Sequence, residues 1–403
     1  MAPRDSTAVA MLTPGDLEHS GGIGRAIGYV VDAWQRSGDG PAVALIDTRG
    51  PAHIVFAPVY FAAALWQLRR MARRGELDLL HLNLSSRGST VRKLIVAAWA
   101  RAFGVPYLIH LHGSRFDRFY RGLPRLAQRL VRSMFAGAAQ IIVLGERWKN
   151  FVVAEIGADP AKIAIVYNGV PAPPRTPRAG AESASCHVLF LGRLGARKGT
   201  PELIAALADP ALATLAWRAT IAGDGDIESF RMLASTKGVA ARIAFPGWVD
   251  RGGVDRLLAA ADILVLPSHE EGLPVAVIEA LANGIAVVTT PVGALPEVLC
   301  DGETALLIAP GDAAGLAQAL RRLIADPLLR QRIGGAGAAV YRRHFRVEDV
   351  AERILALYRR VLGVGSVAAD AATLAADDVA QGQEQRTQPR VLPQALPAKL
   401  ARQ

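Results

Sequence analysis

Charged side chains are grouped in two short segments in the second half of the chain. At these spacings they could stabilise a diphosphate and bind hydroxyl groups. Arg193 and Lys198 lie in the segment LGRLGARKG, and Glu271 and Glu279 lie in SHEEGLPVAVIEALANG. A guanidinium fork and an ammonium group together could neutralise the negative charge that develops on a leaving diphosphate. The two carboxylates could accept hydrogen bonds from sugar or ribose hydroxyls beside that diphosphate. The alternative for Glu271 is structural, because acids near a helix N-terminus stabilise the helix dipole.

A glycine-rich segment near the start of the chain, GGIGR, could supply backbone donors for the same anion. Gly21, Gly22 and Gly24 follow the first predicted strand and precede a predicted helix, so their amides could face a diphosphate from the opposite side. A dinucleotide-binding fold is the competing interpretation. Its pattern G-x-G-x-x-G requires glycine at Ile27, whereas this chain has Gly28 one residue later. We therefore disfavour NAD binding.

The cysteines and nucleophiles of the sequence do not form a disulfide framework, a zinc site or a covalent catalytic set. Cys186 and Cys300 lie far apart and lack zinc-ligand spacing. No Ser–His–Asp or Cys–His set occurs at a nucleophile elbow. Because Arg193, Lys198 and a helix N-terminus could together neutralise a diphosphate, we expect catalysis without a metal or other cofactor.

The elements that must position these residues follow from short apolar runs that alternate with amphipathic segments of helix length. Continuous apolar runs are typical of parallel sheets covered by helices on both faces. Six runs precede a proline-rich segment and six follow it, which predicts an α/β protein with two Rossmann-like, doubly wound domains that face a central cleft. The predicted strands are Ala8–Leu12, Ala42–Asp47, Leu79–Leu84, Tyr107–Leu111, Ile141–Leu144, Ile163–Tyr167, Val188–Leu191, Ala219–Ala222, Ile243–Phe245, Ile263–Leu266, Ile285–Thr289 and Ala305–Ile308.

Composition sets the predicted domain boundaries. An N-terminal domain at 1–170 is followed by an exposed linker, PAPPRTPRAGAESAS, at 171–185. A C-terminal domain at 186–346 is followed by a helix at 347–362 that could return to the N-terminal domain. Residues 363–403 are rich in Ala, Gln, Asp and Pro, and we expect them to be mostly disordered. No secretory leader or long uncharged apolar run is evident, so we expect a cytoplasmic protein.

Several motifs occur along the chain in the order found in one enzyme family. They include GGIGR, LIHLHGS, VYNGV, LFLGRLGARKGTPELIAAL and PSHEEGLPVAVIEALANG with its spacing Glu271-x7-Glu279. The chain in this respect resembles, over residues 7–362, the retaining glycosyltransferases of the GT-B fold. These form glycosyltransferase family four and are related to glycogen synthase. The resemblance implies a nucleoside-diphosphate sugar as donor and retention of the anomeric configuration.

The resemblance also implies roles for single residues. It places His112, at the end of a predicted strand, against the donor sugar, and it places Asp224 and Val249 beside the nucleotide base. The N–H groups around Gly272 and Leu273, before a predicted helix, would face the donor diphosphate. The predicted catalytic residues are His112, Arg193, Lys198 and Glu271, and the predicted donor-binding residues are Gly21, Gly22, Gly24, Asp224, Val249, Gly272, Leu273 and Glu279.

The basic residues are concentrated in the first half of the chain. The net charge is +10, and residues 1–170 hold 21 Lys and Arg against 12 Asp and Glu. The segment RFDRFYRGLPRLAQRLVRSMF interleaves arginines with bulky apolar residues, which predicts one amphipathic helix that could lie on an anionic membrane. The alternative is a packing helix with a solvated basic face. The predicted membrane or acceptor residues are Arg115, Arg118, Arg121, Arg125, Arg129 and Arg132.

These features and the resemblance together predict that the protein transfers a hexosyl unit from a nucleotide sugar to a lipid-linked or glycan acceptor. The process would be bacterial cell-surface polysaccharide biosynthesis, such as exopolysaccharide or lipopolysaccharide assembly. The enzyme would be peripheral at the inner face of the cell membrane, and without a nucleic-acid-binding motif no nucleic-acid partner is expected. Two alternatives stay open. One is a GT-B sugar-nucleotide epimerase, which would need acid and base residues across the cleft, and the other is a non-catalytic membrane-surface scaffold with a degenerate nucleotide site.

Overall fold

A computed structural model describes residues 7–13, 15, 21–50, 53–173 and 185–364 of the chain. The predictions for most of the linker, at 174–184, and for the tail from 365 onward lie outside the described residues. Across the described ranges, no helix combines the length and apolar composition that crossing a membrane requires. The described residues form two α/β units that enclose a cleft.

The first unit is built on a six-stranded parallel sheet with strand order β2-β1-β3-β4-β5-β6. Its central strands are buried along their full length, as expected for a sheet covered on both faces. The chain reverses direction across the sheet after β2, so a topological switch point lies between β1 and β3. The strands are β1 Ala8–Thr13, β2 Ala42–Asp47, β3 Leu79–Leu84, β4 Tyr107–Leu111, β5 Gln140–Val143 and β6 Ile163–Ile165.

The second unit holds another six-stranded parallel sheet, with strand order β9-β8-β7-β10-β11-β12. Numbered within the domain, this is the order 3-2-1-4-5-6 of a Rossmann fold, whose ligand site lies at the carboxyl ends of the strands where the order reverses. The reversal falls between β7 and β10. The strands are β7 Cys186–Leu191, β8 Trp217–Ala222, β9 Ile243–Gly247, β10 Ile263–Leu266, β11 Ala286–Thr289 and β12 Leu306–Leu307.

Helices connect the strands and cover both sheets. The last helix packs on the first one, and the Trp34 indole N–H donates to the Ala351 carbonyl at 3.0 Å. The helices are α1 Gly21–Ser37, α2 Ala57–Arg73, α3 Gly88–Ala102, α4 Phe116–Arg121, α5 Arg125–Ala136, α6 Glu146–Phe151, α7 Thr200–Leu207, α8 Ile227–Thr236, α9 Arg251–Ala260, α10 Val275–Ala282, α11 Ala313–Ala325, α12 Pro327–His344 and α13 Val347–Leu362. One π-helical turn, Val152–Ile156, follows α6.

The predicted fold class is confirmed, and each of the twelve predicted apolar runs overlaps a strand of the described chain. The prediction of a single basic helix through residues 115–135 is wrong. Gly122 ends α4, and Pro124 precedes α5 with an extended backbone, so two short helices replace one long helix. Proline cannot continue a helix because its ring clashes with the preceding turn and it has no N–H to donate.

Candidate active site

A cleft of ≈ 480 Å³ lies between the carboxyl ends of the two sheets. This volume suits a ligand of small-molecule or cofactor size. The structure brings ten of the twelve predicted catalytic and donor-binding residues to its walls, whereas Gly24 and Glu279 do not line it. The ten are Gly21, Gly22, His112, Arg193, Lys198, Asp224, Val249, Glu271, Gly272 and Leu273.

The predicted glycine-rich loop is the first turn of α1. The helix begins at Gly21, whose φ of +61° favours glycine, and Gly24 is already buried inside the helix. No acidic residue occupies this first turn. The N-terminal end of a 17-residue helix, with its unpaired amides and positive dipole end, therefore faces the cleft from the N-terminal domain.

Arg193 enters the cleft from the end of β7, where two strand ends approach each other closely. A Cβ on Gly223, at the end of β8, would lie 1.9 Å from the Gly192 carbonyl oxygen, so only glycine fits there. Arg193 is 71% exposed and lies 3.5 Å from the Asp224 carboxylate. Its guanidinium is thus positioned at the cleft rim and remains accessible to an anion.

Asp224 belongs to a D-x-D tripeptide, Asp224-Gly225-Asp226, but the two carboxylates have separate partners. Asp226 caps α8 by accepting a hydrogen bond from the Ser229 N–H at 3.2 Å. Asp224 faces Arg193 instead. Within the described part of the chain, no group of three or more His, Cys, Asp or Glu side chains could hold a metal ion.

Lys198 and Glu271 form the central ion pair of the cleft. The Lys198 ammonium lies 2.6 Å from Glu271 Oε1, and the two side chains are 15% and 8% exposed. Gly199 makes this approach possible, because its φ is +72° and an added Cβ would lie 2.1 Å from the Pro267 carbonyl oxygen. We predicted that Glu271 binds hydroxyl groups. The structure shows that it pairs with Lys198, and its contact with hydroxyl groups stays a prediction.

Arg197 was not identified from the sequence, although it adjoins Lys198. Its guanidinium lines the cleft, donates to the Glu270 carbonyl at 3.0 Å and lies 3.9 Å from Glu271. Arg197 and Lys198 therefore both approach the Glu271 carboxylate on the C-terminal side of the cleft, and Arg193 lies beside Asp224 on the same side. The signal available in the sequence was the pair of basic residues in GARKG.

The loop between β10 and α10 adds backbone groups to the same wall. The Leu273 carbonyl accepts a hydrogen bond from Asn168 Nδ2 at 2.8 Å, and the Gly272 carbonyl accepts one from the Ala294 N–H at 2.9 Å. A Cβ on Gly272 would come within 3.3 Å of the His112 carbonyl oxygen. The N-terminus of α10 thus lies opposite the strand end that carries His112, and α10 begins one residue after the predicted Pro274.

Glu279 does not line the cleft in this structure. Its carboxylate is 2% exposed and accepts hydrogen bonds from Arg25 at 3.1 Å and from the Tyr29 hydroxyl at 2.7 Å, both on α1 of the other domain. Burial raises the pKa of Glu279 despite the nearby guanidinium. Its pairing with α1 was not predicted from the sequence. Its predicted contact with donor hydroxyls stays a prediction.

His112 lies at the end of β4 and is held in one tautomer. Its Nε2 lies 2.9 Å from Asn83 Oδ1, and Asn83 Nδ2 donates to the Leu12 carbonyl at 3.2 Å, which fixes the amide. Nε2 therefore carries the ring proton, and Nδ1 is left as an acceptor. Burial lowers the pKa of His112 to about 3, so the imidazole is neutral at physiological pH.

Two further buried histidines support His112, and sequence analysis did not identify this cluster. The His110 ring stacks on His112 with centroids 3.9 Å apart, and His110 Nδ1 lies 3.2 Å from His81 Nε2. His81 Nδ1 in turn lies 2.5 Å from the Tyr358 hydroxyl on α13. Burial lowers the pKa of His81 to about 3 and that of His110 well below its usual value. The last helix is thereby connected to the cleft.

The six predicted membrane or acceptor arginines fall into two groups. Arg115 and Arg118 form ion pairs with Glu270 of the second domain. Arg121 pairs with Glu155 in the π-helical turn after α6, and Arg132 donates to the Tyr120 hydroxyl on α4. On α5, the guanidinium-bearing side of the helix is exposed and includes large apolar side chains, Leu126 at 70% and Leu130 at 53% exposure. The residues on this outer face are Arg125, Leu126, Arg129 and Leu130.

Comparisons with known proteins agree with this arrangement. The family model described as "Glycosyl transferase 4-like domain" matches residues 8–169, and the one described as "Glycosyl transferases group 1" matches residues 185–326. The chain is 30% identical over 329 residues to a 2-deoxystreptamine glucosyltransferase of Streptomyces kanamyceticus, across 75% of this chain and 83% of that protein.

A second relative and a solved structure extend the match. The chain is 29% identical over 341 residues to a phosphatidyl-myo-inositol mannosyltransferase of Mycobacterium leprae, across 84% of this chain and 85% of that protein. Sucrose-phosphate synthase from Thermosynechococcus elongatus has the same fold, with a TM-score of 0.72 at 20% identity over 89% of this chain and 99% of that one. The two matching family models, these relatives and the paired six-stranded sheets show that the chain belongs to the group 1, family-four glycosyltransferases of the GT-B fold.

Proposed function

We propose that the cleft binds a nucleoside-diphosphate sugar and that the protein transfers its hexosyl unit with retention of configuration. The observation that carries this proposal is the convergence of Arg193, Arg197 and Lys198 with the N-terminus of α10 on one wall. The N-terminus of α1 faces them from the other domain. Negative charge develops on the leaving diphosphate as the glycosidic bond breaks, and fixed cations and amides stabilise it.

His112 is proposed to orient the donor sugar. Its neutral imidazole presents Nδ1 as an acceptor beside the strand end, and a sugar hydroxyl could donate to it. The Glu271 carboxylate, held by Lys198, is an acidic group of the described cleft wall and could accept further hydroxyl hydrogen bonds. These two residues would fix the sugar while the cations hold the diphosphate.

Metal-independent catalysis is part of the proposal. Three cationic side chains and two helix N-termini supply positive charge where other transferases could use a divalent ion. We therefore propose that the reaction needs no cofactor. The small molecule that the cleft binds is the donor substrate.

The acceptor is proposed to be a lipid-linked or other surface glycan, bound by the N-terminal domain at the inner face of the cell membrane during polysaccharide assembly. Support comes from the basic excess of residues 1–170 and from the exposed Leu126 and Leu130 beside Arg125 and Arg129 on α5. Such a face suits an anionic bilayer surface. One relative is named for transfer to phosphatidyl-myo-inositol, a membrane lipid.

A binding panel followed by product analysis tests the donor proposal. Thermal unfolding is measured with UDP-, GDP- and ADP-sugars, and a ligand at 100 times its dissociation constant should stabilise the fold by about 2.7 kcal/mol. Anomeric NMR of the product from the stabilising donor then separates the alternatives. Transfer with retention supports the proposal, an isomerised nucleotide sugar indicates an epimerase, and no binding by any member of the panel indicates a scaffold.

A further inference from the structure

A small cavity lies behind His112, between the first sheet and the helices α1 and α13. Its volume is ≈ 20 Å³, and every described residue of its wall is buried. The wall is apolar on the helix side, where Val30 and Val350 contribute, and polar on the other side. The polar side chains include His81, Asn83, His110, His112 and Asn168. A cavity of this size has room for about one water molecule and not for a sugar or a nucleotide.

The Tyr358 hydroxyl determines which nitrogen of His81 carries the proton. This hydroxyl is buried, and among the described residues its hydrogen-bond partner is His81 Nδ1 at 2.5 Å. A buried hydroxyl that donates to nothing is costly, so Tyr358 donates and Nδ1 accepts. Burial raises the pKa of Tyr358 well above its usual value, so the hydroxyl keeps its proton. The neutral His81 imidazole therefore carries its own proton on Nε2.

His81 in turn determines which nitrogen of His110 carries the proton. His81 Nε2 lies 3.2 Å from His110 Nδ1, so Nδ1 accepts and the proton of the neutral His110 ring is on Nε2. That nitrogen is buried and has no hydrogen-bond partner within the described part of the chain. Buried donors in native proteins are nearly always paired with protein or with ordered water. His110 Nε2 is thus a buried donor on the wall of a water-sized cavity.

We propose that the cavity binds one ordered water molecule that accepts the His110 Nε2 proton, and that His110 held in this way is a positioning residue for His112. A buried water molecule needs about two to four polar partners. Asn168, on the same wall, uses its Nδ2 on the Leu273 carbonyl at 2.8 Å and keeps its Oδ1 as an acceptor for such a water. The positioning role rests on the proposed function, because it takes His112 as the residue that orients the donor sugar.

His110 acts on His112 through ring stacking. The two ring centroids are 3.9 Å apart and the rings are inclined by 31°, so a rotation of His110 displaces the surface against which His112 packs. Tyr358 and His81 hold His110 at Nδ1, and the water molecule holds it at Nε2. Asn83 holds His112 itself through Nε2 at 2.9 Å. Together these contacts keep the His112 ring in the orientation that leaves Nδ1 as an acceptor for the donor sugar.

Histidine NMR of the wild-type protein tests the water site without any substitution. With ¹⁵N-labelled imidazoles at neutral pH, His81, His110 and His112 should all be neutral and carry the proton on Nε2. The His110 Nε2 proton should also show an Overhauser contact with water. A His110 proton on Nδ1, or an Nε2 proton without a water contact, would overturn the water site.

Cavity-filling substitutions test the water molecule by the sign of their effect on stability. Val30→Ile and Val350→Ile each add one methylene group to the apolar side of the cavity. Displacement of the water leaves the His110 N–H without an acceptor, so the urea midpoint should fall. In a His110→Leu background the same additions fill an apolar cavity, so the midpoint should rise. Midpoints that do not fall in the wild-type background, or that fall equally in both backgrounds through steric strain, would contradict the proposal.

Calorimetric titration with the donor tests the positioning role. His110→Leu should weaken binding of the nucleotide sugar that the donor panel selects by about tenfold, because the His112 contact with the sugar is disturbed. Its affinity for the matching free nucleoside diphosphate should equal that of the wild type. His110→Gln, which can still donate an amide N–H, should restore part of the sugar affinity. His187→Leu, a buried histidine at the start of β7 outside the described cleft wall, is the matched control and should leave both affinities unchanged.

The two affinities separate positioning from general damage. Equal losses for nucleotide sugar and diphosphate in His110→Leu, or no loss for either, would refute the positioning role. If no nucleotide sugar binds the wild type, the proposed function fails, while the NMR and urea measurements still decide the water site.

Discussion

At the scale of single residues, cations of the cleft form ion pairs with carboxylates that could also bind sugar hydroxyls. Lys198 and Glu271 are nearly buried together, whereas Arg193 and Asp224 are exposed at the rim. Removal of one partner from a buried pair leaves an uncompensated charge, while the loss of a rim contact leaves only solvated groups. The two cations should therefore respond differently to substitution.

Arg193→Ala should retain wild-type stability, whereas Lys198→Ala should lower the free energy of unfolding by about 1–3 kcal/mol, because Glu271 loses its 2.6 Å partner. The difference follows from exposure, since Arg193 is 71% exposed and Lys198 is 15% exposed. Urea unfolding of both variants, with Lys237→Ala as an exposed control, measures the difference. Equal stability of the Lys198 and Arg193 variants would contradict the role of this ion pair.

Activity should survive chelation of divalent metals. Arg193, Arg197 and Lys198 lie where the diphosphate is proposed to leave, so the protein itself supplies the positive charge. Turnover is measured after treatment with EDTA and again after addition of Mg²⁺ or Mn²⁺. Activity that disappears with EDTA and returns with either ion would refute the metal-independent mechanism.

The three buried imidazoles should make stability fall steeply in mild acid. In the unfolded chain each histidine gains a proton below about pH 6.5, whereas His81 and His112 in the fold stay neutral down to a pKa of about 3. The unfolded state then binds more protons, so the stabilisation is complete above pH 6.5 and is lost as the pH falls toward 3. The slope is about 1.4 kcal/mol per pH unit for each histidine.

Urea unfolding between pH 7.5 and 4.5 measures this slope for the wild type and for His110→Leu. The variant should lose about one third of the contribution of the His81, His110 and His112 cluster, because one of its three imidazoles is absent. His187, which is buried in the second domain with a lowered pKa, contributes equally to both proteins. A variant whose stability depends on pH as steeply as that of the wild type would show that the cluster does not titrate as the burial implies.

At the scale of elements, the strands were predictable from the sequence and the helix boundaries were less so. A run such as Leu79–Leu84 is apolar or buried at all six positions because both faces of the sheet are covered. The break at Gly122–Pro124 was visible in the sequence but was outweighed by the amphipathic pattern of residues 115–135. Local pattern thus identified the elements, and proline chemistry decided where one of them ended.

The site was predictable where its residues lie in recognisable sequence motifs. Arg193, Lys198 and Glu271 lie in strand-to-helix connections that the topology brings to one edge, and ten of twelve predicted residues line the cleft. The partner of Glu279 is Arg25, which is 254 positions away in the chain. The pairing of His81 with Tyr358 likewise depends on the packing of α13, which no local pattern specifies. Contacts between elements that are far apart in the chain could therefore not be predicted from the sequence.

The outer face of α5 should bind anionic vesicles. Its exposed residues Arg125, Leu126, Arg129 and Leu130 combine charge and apolar area, and each basic residue near an anionic surface contributes about 1 kcal/mol. The double substitution Arg125→Glu, Arg129→Glu should weaken co-sedimentation with such vesicles more than tenfold, about 1.4 kcal/mol. High salt should weaken wild-type binding too, since the Debye length shortens.

The double variant leaves the donor wall unchanged, so its nucleotide-sugar affinity should equal that of the wild type. Arg218→Glu, which makes half of that charge change on the second domain, is the control for vesicle binding. Co-sedimentation of the double variant at the wild-type level would show that α5 is a packing helix with a solvated basic face.

At the scale of the whole molecule, the two domains are joined by polar contacts around the cleft as well as by α13. Arg251 pairs with Asp32 at 2.6 Å, and Arg25 and Tyr29 hold Glu279. In this arrangement the Glu279 carboxylate is occupied by α1. A contact between Glu279 and a donor hydroxyl, as the sequence predicts, requires α1 and α10 to separate first. Donor binding and domain movement would then be coupled through one carboxylate.

The central claim is that the cleft cations drive sugar transfer, and release of nucleoside diphosphate from the stabilising donor tests it most directly. Release is measured with the wild type, Arg193→Ala, Lys198→Ala and the exposed control Lys237→Ala, all shown to be folded. The account predicts that loss of either cleft cation lowers kcat by about 10²–10³, equivalent to about 2.7–4 kcal/mol of transition-state stabilisation, and that the control is unaffected. Near wild-type turnover in folded Arg193→Ala and Lys198→Ala would contradict it.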